Sequence, residues 1–126
     1  IVDYKTGSAP SSKAVAAGYS MQLGLLAAIA ERGGFPEVTG KVAKFEYWSL
    51  ASDGKRGFGK VSSPVGGTGQ GQIELFVAEA ERTFTEAAER WLTGTAPFIA
   101  KLVPEYALYD DYDQLMRRDE WYGRED

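Results

Sequence analysis

The sequence predicts an α/β domain in which strand, helix, strand, strand and helix follow one another around a mixed sheet. Three observations predict it. Residues 1–6 are β-formers cut off by Gly7 and Pro10. Residues 11–32 and 72–93 carry apolar side chains at three- and four-residue steps, the spacing of a helix face. Between them, residues 41–51 and 58–62 are rich in β-formers and flank the turn-like run 52–57, which is a hairpin pattern. A length of 126 residues suits one domain, with an acidic tail over about 104–126.

The first strand, residues 1–6, is expected to be buried, with Val2 and Tyr4 sharing one face. Alternation then puts Asp3 and Lys5 on the other face, their Cα atoms about 6.6 Å apart. Such a pair sets a carboxylate able to bind a hard cation beside an ammonium able to hold a phosphate or a polarised water. It equally describes an edge strand with solvated charges. Ser11 or Ser12 can cap the following helix, 11–32. Val15, Tyr19, Leu23, Leu26, Ile29 and Ala30 form its core stripe, and Gln22 falls on that stripe, where a buried amide needs partners. Gly33, Gly34 and Pro36 end it.

Strand, helix, strand is the order of a parallel crossover, with ligands gathering at the carboxyl ends of the strands. Residues 64–71 form a Gly-rich connector that lacks the Gly-Lys-Ser/Thr ending of a phosphate-binding loop. In the second helix, 72–93, Ile73, Phe76, Val77, Ala80, Phe84, Ala87, Ala88 and Trp91 make the stripe, and Gly94 stops it. A short helix near 112–121 is expected within the tail.

Composition removes several chemistries. Without cysteine or histidine there is no disulfide, no thiol nucleophile, no Ser-His-Asp triad and no zinc site of the Cys/His kind. A metal here would be held by oxygen, which suits Mg²⁺, Mn²⁺ or Ca²⁺. The Asp110-Asp111-Tyr112-Asp113 run lacks the spaced ligands of an EF-hand. The net charge of −4 argues against wrapping nucleic acid by bulk charge, but residues 101–126 account for all of it, with eight acids against four bases. The most basic region is Lys41, Lys44, Lys55, Arg56 and Lys60. It reads as a patch for single-stranded DNA or as a solvated hairpin tip. No apolar run approaches the ~20 residues of a membrane span, and there is no signal-peptide pattern. Starting with Ile1 fits a piece of a longer protein.

The stretch Val2-Asp3-Tyr4-Lys5-Thr6-Gly7, followed by Gly18-Tyr19-Ser20-Met21-Gln22-Leu23, resembles the PD-(D/E)xK nuclease superfamily and its RecB-like branch, in which a helical glutamine follows the Asp-x-Lys strand. With Gln22 to Phe35, Phe45-Glu46-Tyr47-Trp48-Ser49-Leu50 and the run from Tyr112 to Trp121, the likeness is closest to the C-terminal nuclease domain of the B subunit of alphaproteobacterial AddAB-type helicase–nucleases. It spans nearly all of the chain.

This resemblance implies part of a restriction-endonuclease-like fold and a metal-dependent DNA exonuclease of double-strand-break repair, cytoplasmic in bacteria and partnered by an A-type helicase–nuclease subunit. Asp3 would ligate Mg²⁺ or Mn²⁺, Lys5 would orient the attacking water or stabilise phosphorane charge, and Gln22 would steady water, lysine or DNA. Tyr19 would contact DNA from the same cleft or sit in the core as a plain aromatic; Lys55, Arg56 and Lys60 are the other candidate DNA contacts. Two departures stand out. No acidic ligand precedes Ile1, and Leu26 stands where many relatives have tyrosine. The chain also has no cysteines for the iron–sulphur cluster of many B subunits. The chain alone is therefore expected to bind metal weakly and cleave poorly, and strand 1–6 to self-associate through its open edge. The competing expectation is a non-catalytic DNA- or subunit-binding module. An acid–base enzyme for small molecules is a third, without a second visible acid or base.

Overall fold

The computed structural model describes residues 1–53, 57–65, 69–98, 103–106, 115, 117 and 120. Three strands form one sheet in the order β1 (Val2–Lys5), β2 (Glu46–Asp53), β3 (Gly57–Ser62). β1 runs parallel to β2, with Asp3 opposite Tyr47 and Lys5 opposite Ser49. β3 returns antiparallel, with Lys60 opposite Ser49 and Val61 opposite Trp48. The mixed sheet, the crossover and the hairpin are as the sequence implies. The hairpin tip, with Lys55 and Arg56, lies outside the described residues, as do the core of the Gly-rich connector and most of the tail with its expected helix.

The expected helix 11–32 is two helices. α1 (Ser12–Ala16) is capped by Ser11, whose Oγ accepts from the Ala14 N–H at 3.1 Å. It ends at Gly18, whose φ of 81° is a conformation glycine adopts without steric cost. Two backbone bonds close this end, Gly18 N–H to the Val15 carbonyl and Tyr19 N–H to the Ala14 carbonyl. That is the Schellman arrangement. α2 (Gln22–Glu31) then starts afresh. The apolar spacing runs unbroken from Val15 through Tyr19 to Leu23, which hides the break. Tyr19 is consequently exposed rather than core, and Gln22 is exposed at the first turn of α2; Ile29, also exposed, lies off the α2 face that carries Leu23, Ala27 and Ala30.

α3 (Gln70–Ala87) continues as one π-helical turn, Ala88–Leu92. Its buried stripe is Ile73, Val77 and Ala80; Phe84 is exposed. α2 and α3 pack on one face of the sheet, where Leu23, Ala27 and Ala28 meet Phe45, Tyr47, Ile73 and Val77. Gly24 allows the helices to approach closely, since a Cβ there would lie 2.5 Å from the Ala80 Cβ.

The covered sheet face is the one expected to be charged. Asp3 and Lys5 point towards the helices, beside Tyr47, while Val2 and Tyr4 are exposed at 41% and 61%. Tyr4 and its cross-strand neighbour Trp48 meet edge to face at 5.6 Å on the open side. Lys41 pairs with Glu31 at 2.7 Å and Lys44 with Glu46 at 2.6 Å, so these two charges are neutralised locally and do not join Lys60 in a patch. No helix among the described residues is long and apolar enough to cross a membrane.

Two predictions follow from the packing. In Gly24→Ala the clash with Ala80 outweighs the gain in helix propensity, for a net loss of about 1–2 kcal/mol in urea denaturation. Glu31 accepts from Lys41 and from the Val42 N–H, and these bonds hold its carboxyl below the ordinary 4.5. Its stabilisation is therefore present above that value and lost as pH falls through the lowered one. Glu31→Gln should cost about 1 kcal/mol at pH 7, after solvent screening, and the gap to wild type should close in acid.

Candidate active site

The site is built where β1 ends. Ser49, opposite Lys5, donates from Oγ to the Gly7 carbonyl at 3.2 Å, tying the loop that leaves β1 to β2. Lys5 Nζ lies 2.8 Å from Asp3 Oδ2 and 3.4 Å from Gln22 Oε1. It also sits 5.7 Å from the centre of the Tyr47 ring, within cation–π range. The three residues expected to act together, Asp3, Lys5 and Gln22, are thus brought together. Gln22 reaches Lys5 because the break at Gly18 places it at a helix start rather than on a buried stripe.

Two buried polar atoms are left over. Asp3 Oδ2 is close to the ammonium but not at hydrogen-bonding geometry, and it is shielded from water. The Tyr47 hydroxyl, on a residue 1% exposed, also makes no hydrogen bond of standard geometry. These are the only such side-chain atoms found among the described residues. They belong to cross-strand partners on the same face. Burial pushes the Tyr47 hydroxyl above its ordinary value, and the nearby Ser20 side chain and Lys5 ammonium only partly oppose this. The phenol therefore stays protonated, beside a carboxylate oxygen that faces the Lys5 ammonium. Unpaired buried polar groups are costly, and one explanation for keeping them is a ligand that completes them. Sequence reasoning passed over Tyr47 as a strand residue; the alternation Phe45, Tyr47, Ser49 was the signal that it shares a face with the site.

Two clefts flank the loop from Ser8 to Ser11. One, of about 580 Å³, is lined by Tyr47, Ser49 and Lys60. The other, of about 540 Å³, is lined by Lys5, Lys13, Tyr19 and Tyr106. Lys5, Ser49 and Lys60 occupy one rung across all three strands. The candidate DNA contacts Lys60 and Tyr19 therefore line different clefts.

A family model, that of the PD-(D/E)XK nuclease superfamily, matches residues 1–101. The chain belongs to this superfamily. No curated protein and no solved structure matches it. Asp3-Tyr4-Lys5 has the form of the (D/E)XK part of the superfamily's signature, and membership implies a nuclease-type hydrolysis with DNA as substrate. PD-(D/E)XK nucleases generally use Mg²⁺ or Mn²⁺. The donor type fits, because Asp3 Oδ2 is a hard oxygen without a hydrogen bond. No group of three or more acids lies together among the described residues, and Glu46 is on the opposite sheet face, opposite Val2.

The orphaned hydroxyl makes a stability prediction. Tyr47→Phe keeps the ring under Lys5 and removes an unsatisfied donor, so the thermal midpoint should hold or rise, by up to about 1 kcal/mol of stability. A loss larger than that would show that the hydroxyl is bonded in solution.

Proposed function

We propose that the chain carries the Asp-x-Lys portion of a DNA-hydrolysing site, with Asp3 as a metal ligand, Lys5 as the catalytic lysine and Gln22 as the residue that holds the lysine in place. The observation that carries this reading is the water-shielded, unbonded Asp3 Oδ2 in contact with Lys5 at the carboxyl end of a parallel strand. A divalent cation held there supplies Lewis acidity, neutralising phosphate charge and acidifying water. The protein's own part is positional. Lys5, fixed between Gln22 and the Tyr47 ring, presents an ammonium to the developing phosphorane charge. Tyr47 offers a protonated hydroxyl to the same region. Lys60, on the Lys5 rung, extends positive charge along the sheet towards the DNA backbone.

The finer reading is a nuclease domain of the B subunit of an AddAB-type helicase–nuclease, acting as an exonuclease in double-strand-break repair in the bacterial cytoplasm beside an A-type subunit. It is supported by the residue patterns from Gln22 to Phe35 and from Phe45 to Leu50, and by the run from Tyr112 to Trp121. Asp110, Asp111 and the other tail acids would then serve contacts between subunits.

Since no group of three acids stands together among the described residues, slow turnover is expected from this chain alone, and two readouts are needed. Degradation of linear DNA with Mn²⁺ should fall at least 100-fold in Asp3→Ala and in Lys5→Ala, and less in Gln22→Ala. Weak Mn²⁺ binding, followed by electron paramagnetic resonance, should be lost in Asp3→Ala and kept in Lys5→Ala. DNA binding that depends on Lys5 and Lys60 while both Asp3 readouts stay unchanged would instead establish a non-catalytic binding module.

A further inference from the structure

One wall of the cleft on the α1 side of the site is formed by a segment from far along the chain. Residues Pro104–Tyr106 form a single 3₁₀ turn, closed by the Tyr106 N–H to the Val103 carbonyl at 3.1 Å. From this turn Glu105 makes an ion pair with Lys13 on α1. The next residue, Tyr106, lays its ring on Tyr19, with centroids 4.4 Å apart and planes 20° from parallel. Lys13, Tyr19, Glu105 and Tyr106 all line the cleft of about 540 Å³ that also contains Lys5. Adjacent residues thus deliver an anion to an ammonium and a flat ring to an aromatic face, from Cα atoms roughly 3.8 Å apart. One nucleotide delivers the same two groups, a phosphate and a base, from a single sugar.

We propose that this cleft binds one nucleotide of single-stranded DNA next to the scissile phosphate, with Lys13 on the phosphate and Tyr19 under the base, and that Glu105 and Tyr106 imitate that nucleotide when DNA is absent. The proposal rests on the nuclease reading for the position of the scissile phosphate at Lys5. Base stacking on an exposed aromatic ring is how proteins hold unpaired strands without regard to sequence. The substitute is built to leave. The Lys13 and Glu105 side chains are 73% and 53% exposed, and an ion pair in water contributes little. Tyr19 keeps 52% of its surface exposed even under Tyr106. An occupant that must first be displaced lowers apparent affinity by the fraction of molecules in the open state. The break at Gly18 matters here as well, because a continuous helix would turn Tyr19 into the core stripe.

The test is binding of a fluorescein-labelled ten-residue oligothymidine to the 126-residue chain, read by anisotropy in EDTA so that nothing is cleaved. The double variant Glu105→Gln, Tyr106→Ala should bind several-fold more tightly than wild type. Tyr19→Ala should bind roughly tenfold more weakly, whereas Tyr19→Phe, which keeps the stacking face, should match wild type. Lys13→Ala should lower the salt dependence of binding by roughly 0.7 in slope, one phosphate's worth on a single strand. Circular dichroism melts confirm that each variant is folded, and Tyr19→Phe guards against a folding defect in Tyr19→Ala. Unchanged binding in the double variant, or in both Tyr19→Ala and Lys13→Ala, would overturn the proposal, as would a failure of both wild type and double variant to bind. These outcomes are separable from the nuclease reading: Asp3-dependent Mn²⁺ binding with an indifferent Tyr19 removes this subsite and leaves the catalytic assignment in place.

Discussion

The register of β1 on β2 is the constraint from which the site follows. Setting Asp3 opposite Tyr47 sends two charged side chains to the helix-covered face of the sheet. Taking charges out of water is costly, and an ion pair returns that cost only with good geometry and further hydrogen bonds. Here the pair is close but incompletely bonded, and the neighbouring phenol is unbonded too. A slip by one residue would relieve this by sending Val2 and Tyr4 inward, the arrangement that hydrophobicity alone favours. The parallel pairing and the packing of Ile1 against the core hold the strand in the costlier register. Polar groups kept unsatisfied against such an alternative are characteristic of sites arranged for something outside the chain.

The second determinant is the break between α1 and α2. A glycine in the left-handed conformation ends α1 in a complete Schellman closure, and a new helix begins four residues later. The break serves both sides of the site. It frees Gln22 to reach Lys5, and it swings Tyr19 out of the core to face the cleft beside Lys13. Close contact of α2 with α3 at Gly24 and Ala80 then anchors α2 over the sheet.

The sheet is covered on one face only. Its other face shows Val2, Tyr4, Trp48, Leu50 and Val61, and β1 pairs on one side alone among the described residues. Asp3, Lys5 and Tyr47 lie on the covered face, and Gln22 reaches Lys5 from α2. The cluster around Asp3 and the apolar face are therefore separate features of one sheet, divided by the two-residue alternation of its strands.

The sequence by itself determined the element order, the hairpin, the parallel crossover and the pairing of Asp3 with Lys5, because these depend on local propensity and on the fixed alternation of a strand. It also pointed to Gln22 and, through the Asp-x-Lys strand and the glutamine that follows, to the nuclease superfamily. Which face of β1 is buried, where helix 11–32 breaks, and the placement of Tyr47, Lys13 and Tyr106 were decided only by the tertiary structure. The reasons are physical. A strand of alternating apolar and charged residues does not say which face its neighbours cover. A run of apolar residues four apart continues across a glycine whether or not the helix does. A contact such as that between Tyr19 and Tyr106 joins residues far apart in the chain, and only the folded arrangement brings them to one cleft.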